Sequence, residues 1–279
     1  MNQLEGRKVN PMFVTMNRAD TSRVGSAIVG VFLFVILFVG GLSPARAQPL
    51  ARVTAPQQHV WYNYFGNHPV SKRWGLHLEG QWRREGFGQQ AMQLLLRPGV
   101  NFYLTPNVTL TGGYGFIQTH QYGEYPAVAA FPEHRFWQQA LMRQKLGTRA
   151  VMQHRYRLEQ RNIGQMQVVP GQEPRRDSWR YENRFRYMAR VDFPLTRKNE
   201  RTDLYLCVFD EMFVNFGRNV SANVFDQNRA YLALGKQMSG AMRMEVGYMN
   251  QVLQQRNGRI VELNHTMMVS VYMTLPFHQ

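Results

Sequence analysis

Residues Gln153–Arg161 read QHRYRLEQR, with Arg155, Arg157, Glu159 and Arg161 at every second position. On an extended chain that spacing places all four on one face, because successive side chains point to opposite sides. Guanidiniums and carboxylates gathered in this way have two uses. Paired, they neutralise one another as a buried salt-bridge plug. Left in excess, the arginines attract anions, as rings of arginine do in anion-selective pores. The pattern recurs along the chain, and the candidate ladder is Glu133, Arg135, Arg155, Arg157, Glu159, Arg161, Arg180, Glu182, Arg184, Arg186, Arg190, Glu211, Arg229, Arg243 and Glu245. Buried arginines need carboxylates or water, and Glu159 and Glu182 are the candidate partners for the arginines of the first stretch.

Other chemistries have weaker signals. A lipid hydrolase of the barrel type needs a serine with a histidine base near one rim. Ser71 and Ser239 fall at predicted short turns, and Ser270 falls deep on the last strand. That leaves Ser178 and Ser221, with His120, His134 and His154 as bases, and no spacing unites them. His59, His68, His77 and His265 lack metal-ligand spacing. The expectation is no enzyme, no metal and no cofactor. The net charge of +15 is spread along the chain, and a nucleic-acid partner would call for a surface patch or basic tail instead.

The elements that must carry the ladder are strands. In Asp177–Phe193 the odd positions are Trp179, Tyr181, Asn183, Phe185, Tyr187, Ala189, Val191 and Phe193. The even positions are Arg180, Glu182, Arg184, Arg186, Met188, Arg190 and Asp192. Period two dominates everywhere after residue 48. Trp74, Leu76, Leu78 and Trp82 oppose His77, Glu79, Gln81 and Arg83. Met92, Leu94, Leu96 and Val100 oppose Gln93, Arg97 and Asn101. Eleven such segments begin near His59, Trp74, Met92, Val108, Glu133, Thr148, Asp177, Asp203, Asp226, Ala241 and Val261. Tight turns at Thr105–Asn107, Gly147–Thr148 and Ser239–Gly240 alternate with long loops at Gln121–Pro132, Ile163–Arg176 and Gly217–Phe225. Short turns on one rim and long loops on the other are the pattern of an outer-membrane barrel.

These features predict an all-β chain with one antiparallel transmembrane barrel of 10–12 strands and a polar, Arg/Glu-rich lumen. Bacterial barrels have even strand numbers, so a further strand over Arg52–Gln58 would complete twelve, or one segment would stay out of the wall. The competing reading is a soluble periplasmic barrel, with the apolar face as its core and a ligand inside. Val269, Val271, Met273, Leu275 and Phe277 give a terminal alternating strand of the kind that barrel-assembly machinery reads. The remaining expected partners are outer-membrane lipid and lipopolysaccharide, whose phosphates could meet the loop residues Arg175 and Arg176.

The N-terminal residues form a separate segment. Arg18 and Arg23 precede the apolar run Val24–Leu42, and Ala45 and Ala47 make a small-x-small site. The segment reads as a signal peptide over 1–47, cleaved after Ala47, with the barrel domain over 48–279. An uncleaved anchor is the alternative, and Met12 and Met16 are alternative starts. Cys207 is the single cysteine, so no intrachain disulfide supports the fold.

Pro132–Gln139 (PEHRFWQQ), His154–Arg161 (HRYRLEQR), Asn183–Leu195 (NRFRYMARVDFPL), Asp210–Phe216 (DEMFVNF) and Phe225–Gly235 (FDQNRAYLALG) follow one another in that order. An early stretch, Val60–Arg83, precedes them. Together they resemble the domain-of-unknown-function family 2490 of Gram-negative bacteria. The resemblance implies a barrel-like, outer-membrane-associated protein and implies no activity. The residues that carry it include Glu133, Arg135, Trp137, Arg155, Arg157, Glu159, Arg161, Arg184, Arg186, Glu211, Asn215, Asn228 and Arg229. All but Asn228 fall on the predicted inner face.

Overall fold

A computed structural model describes residues 52–147, 150–198 and 201–277. The signal-peptide reading of residues 1–47 and the predicted strand start at Thr148 lie outside the described residues. Alternating sequence gives long strands: β1 (Val53–Pro69), β2 (Trp74–Glu85), β3 (Gln90–Thr105), β4 (Val108–Thr119), β5 (Phe131–Leu146) and β6 (Ala150–Gln167). The second half adds β7 (Arg175–Lys198), β8 (Arg201–Phe216), β9 (Phe225–Gln237), β10 (Met242–Gln254) and β11 (Ile260–Met273). Each strand pairs with its sequence neighbours, and β1 pairs with β11 to close the barrel. Closure leaves no free sheet edge.

Two expectations need correction. The stretch Arg52–Gln58 does not form a twelfth strand, since Val53–Gln58 is the first part of β1. Eleven strands then dictate a second departure. In an up-and-down meander, odd-numbered strands all run one way, so first and last meet in parallel. The seam is parallel, in register from Val53↔Ile260 to Gly66↔Met273, while every other pair is antiparallel. Inside the seam Asn63 Nδ2 donates to Ser270 Oγ at 3.1 Å.

The rims differ as the loop lengths predict. Residues 120–130, 168–174 and 217–224 join strands on one rim, and residues 70–73, 106–107 and 238–241 join them on the other. The longest connection folds over the mouth. Its Tyr122 ring lies edge-on to His59 at 6.0 Å, and the Gly123 amide donates to Glu85 Oε2 at 2.9 Å.

Alternation sorts the two faces, with local exceptions. At the β2–β3 pairing the register shifts, with Arg83 opposite Gln93 and Arg84 opposite Ala91. Met92 is the extra residue of this bulge, and it turns inward to be buried, against the expectation from strict alternation. The predicted terminal strand is also shorter than its pattern. β11 ends at Met273, and Phe277 lies beyond it, stacked on His68 at 5.0 Å.

Glycines let the β3–β5 wall receive a large ring. Gly99 and Gly113 face each other across the β3–β4 ladder, and Trp137 sits opposite Gly113 on β5. A Cβ on Gly99 would stand 2.9 Å from the Trp137 ring, and one on Gly113 would press on the Pro98 carbonyl oxygen. The GGYGF stretch, Gly112–Phe116, is thus a close glycine–aromatic contact. Gly113→Ala is expected to lower stability by about 1–3 kcal/mol, read as a lower denaturant midpoint with unchanged slope.

Candidate functional site: the barrel lumen

The predicted ladder is inside. Glu133, Arg135, Arg157, Glu159, Glu182, Arg184, Arg186, Arg190, Glu211, Arg229 and Glu245 are buried. Arg155, Arg161, Arg180 and Arg243 point inward with partial exposure. The opposite face is apolar and outermost, including Leu94, Leu96, Val100, Leu232, Leu234 and Val246. Asn228 faces outward, as alternation requires, and donates to Asp210 at 3.0 Å.

Glu159 is the hub. It is fully buried and accepts from Arg184 at 2.6 Å and Arg186 at 2.7 Å. Arg97 lies 3.6 Å and Arg135 3.8 Å from the same carboxylate. Its partners sit on β3, β5 and β7, so the expected pairing with arginines of its own strand does not occur. The other proposed carboxylate, Glu182, does approach Arg161, at 3.9 Å, but Arg161 bonds Glu133 at 2.7 Å. Arg155 reaches Glu211 at 2.8 Å, which Arg186 also meets at 2.8 Å. Low dielectric strengthens these pairs and makes any unpaired member costly.

Some ties cross the lumen. Arg190 on β7 bonds Glu245 on β10, whose oxygens also accept from Tyr205 at 2.8 Å and Tyr272 at 3.1 Å. Arg184 reaches Asp226 on β9 at 2.8 Å. At mid-height Trp61, Gln81, Arg186 and Arg229 line both of two cavities, one of about 170 Å³ towards the long loops and one of about 280 Å³ towards the short turns.

Sequence reasoning missed an apolar cluster in the interior. Trp61, Met92, Tyr205, Cys207, Tyr231, Ala233, Met249 and Met268 form a buried cluster. The signal was available: Leu204–Phe209 and Ala230–Leu234 are apolar without interruption, as strands buried on both faces are. Arginines lie against rings on this side, with Arg83 3.8 Å and Arg229 5.0 Å from Trp61, and Arg186 4.4 Å from Phe213. Such cation–π contacts favour the charge without neutralising it.

The serines fall apart from any base. Ser71 accepts from the Trp74 amide in a turn, Ser270 is held by Asn63, and Ser178 of β7 lies opposite Gln165 of β6. Among the described residues none of the five serines is hydrogen-bonded to a histidine. His134 and His154 face outward against Tyr114 and Tyr187.

A family model described as a protein of unknown function (DUF2490) matches residues 58–262. No curated protein matches the chain. A solved structure of the NanC porin in a rhombohedral crystal form is similar at 11% identity, covering 78% of this chain and 99% of that chain with a TM-score of 0.45.

Removing the hub should expose its worth. Glu159→Gln leaves Arg184 and Arg186 without their shared charge and is expected to cost about 3–5 kcal/mol. The measurement is the unfolding midpoint of the purified barrel, and an unchanged midpoint would refute the hub role.

Proposed function

The chain belongs to the DUF2490 family of proteins of unknown function, and on that premise we propose that it is an outer-membrane barrel whose lumen is a narrow, anion-preferring path. The observation that carries the reading is the arrangement of the two faces. A soluble barrel would turn its apolar face inward and leave its charges wet. Here the charges are enclosed, and the outer face exposes large apolar side chains on every one of the eleven strands, whereas soluble monomers rarely expose extended apolar surface. Trp74 near the short-turn rim and Trp179 near the long-loop rim are both exposed, as interfacial aromatic girdles require. Polar outward groups are satisfied locally: Gln138 and Gln160 exchange hydrogen bonds at 3.2 and 3.1 Å.

Anion preference follows from the excess of interior arginine over carboxylate. Glu133, Glu159 and Glu211 each serve more than one guanidinium. A passing anion meets a positive field focused by a low-dielectric wall. The cross-lumen ties favour a second reading, a structural barrel with a salt-bridged, closed lumen. Exposed Arg175 and Arg176 on the long-loop rim suit lipopolysaccharide phosphates.

Three measurements test these readings. On fractionation, the full chain is expected in the outer membrane as a band whose migration changes on heating. A soluble periplasmic product would sink the proposal. In planar bilayers the purified barrel should conduct weakly, with anions ahead of cations, and Arg157→Glu should reduce that preference. No conductance, together with a lowered unfolding midpoint for Arg157→Glu, would establish the plug. Alanine at Arg175 and Arg176 is expected to weaken lipopolysaccharide binding, read by co-purification.

A further inference from the structure

We propose that the lumen holds a binding site for one small oxyanion, phosphate or carboxylate, between Arg83 and Arg229 on the long-loop side of Trp61. The cavity of about 170 Å³ there is lined by both arginines. They are only 8% and 9% exposed. Neither has a carboxylate oxygen within 4.0 Å among the described residues. Their acceptors are neutral amide oxygens: Gln81 at 3.0 Å and Gln93 at 2.7 Å for Arg83, and Gln227 at 3.1 Å for Arg229. The terminal nitrogens of Arg229 have no hydrogen-bond acceptor among the described residues. Arg97, 2% exposed, lines the same cavity and brings an Nε with no hydrogen-bond partner.

The carboxylates nearby are already engaged. Asp226 holds Arg184 at 2.8 Å, Glu133 holds Arg135 and Arg161, and Glu211, opposite Arg229 in the β8–β9 ladder, is held by Arg155 and Arg186 at 2.8 Å. Two desolvated guanidiniums that both lie against the Trp61 ring, neither of them directly ion-paired among the described residues, are an unfavourable arrangement that a bound anion relieves. The planar fork of arginine matches the paired oxygens of phosphate or carboxylate better than it matches a spherical ion. Trp61, against whose ring both arginines lie, and Tyr122 of the mouth loop contribute to the cavity lining. The inference uses the anion-path reading only for the route by which the ligand enters.

The test is calorimetric titration of the detergent-purified full chain with inorganic phosphate, and separately with acetate, against chloride at equal ionic strength. Saturable binding of either oxyanion is expected. Arg83→Gln and Arg229→Gln should each weaken it at least tenfold, while Lys236→Gln on the outer face should leave it unchanged. Both lumen variants should keep the unfolding midpoint or raise it, because each removes an uncompensated buried charge. No binding of either oxyanion, or binding that survives Arg83→Gln and Arg229→Gln, would overturn the site. Binding in a barrel that does not conduct would leave the site standing and sink the channel. Conductance without binding would do the reverse.

Discussion

One carboxylate with no solvent exposure, Glu159, organises the interior. Four guanidiniums from three strands converge on it. Each of those arginines is too polar to be buried alone, and each is fixed by a strand whose outer residues must stay outside. The wall and the network therefore impose the same register. A one-residue slip in β6 would turn Glu159 outward and drive Leu158 and Gln160 inward. Such a slip would break the network and spoil the apolar exterior together.

The interior is not uniform, and the difference has physical sense. Strands β5 to β7 contribute mainly charge, and strands β8 to β11 with β1 add Trp61, Cys207, Tyr231, Met249 and Met268 to their charged residues. A barrel filled with charge alone would leave many groups to satisfy. The apolar cluster fills its share of the volume with side chains that need no partner. Arginines at the border rest on Trp61 and Phe213, so the boundary is made of cation–π contacts. There Arg83 and Arg229 have amide oxygens rather than carboxylates as their acceptors.

Much of this was legible in the sequence. The segment count was right because long strands with one apolar face and one charged face leave a clear period-two signal. The inward set of fifteen ladder residues followed from the same alternation. What escaped had non-local or sub-periodic causes. Met92 is displaced by a bulge that exists only in the pairing of β2 with β3. Glu159 chose partners across strands because a curved wall brings β3, β5 and β7 to one point, and no spacing along β6 encodes that. The apolar cluster lies where the strands are apolar on both faces, so a search for charged alternation passes over it. The parallel seam follows from the strand number alone. The even count usual for bacterial barrels points instead to an all-antiparallel closure.

That odd number gives the barrel a direction. Val53 and Ile260 stand together at the long-loop rim, and Gly66 and Met273 stand together at the other. An even meander returns its chain to the rim it started from. This one traverses the wall once more than it comes back. The first and last residues of its sheet therefore stand at opposite rims, so that the two ends of the wall lie a full strand length apart even though their strands are hydrogen-bonded neighbours.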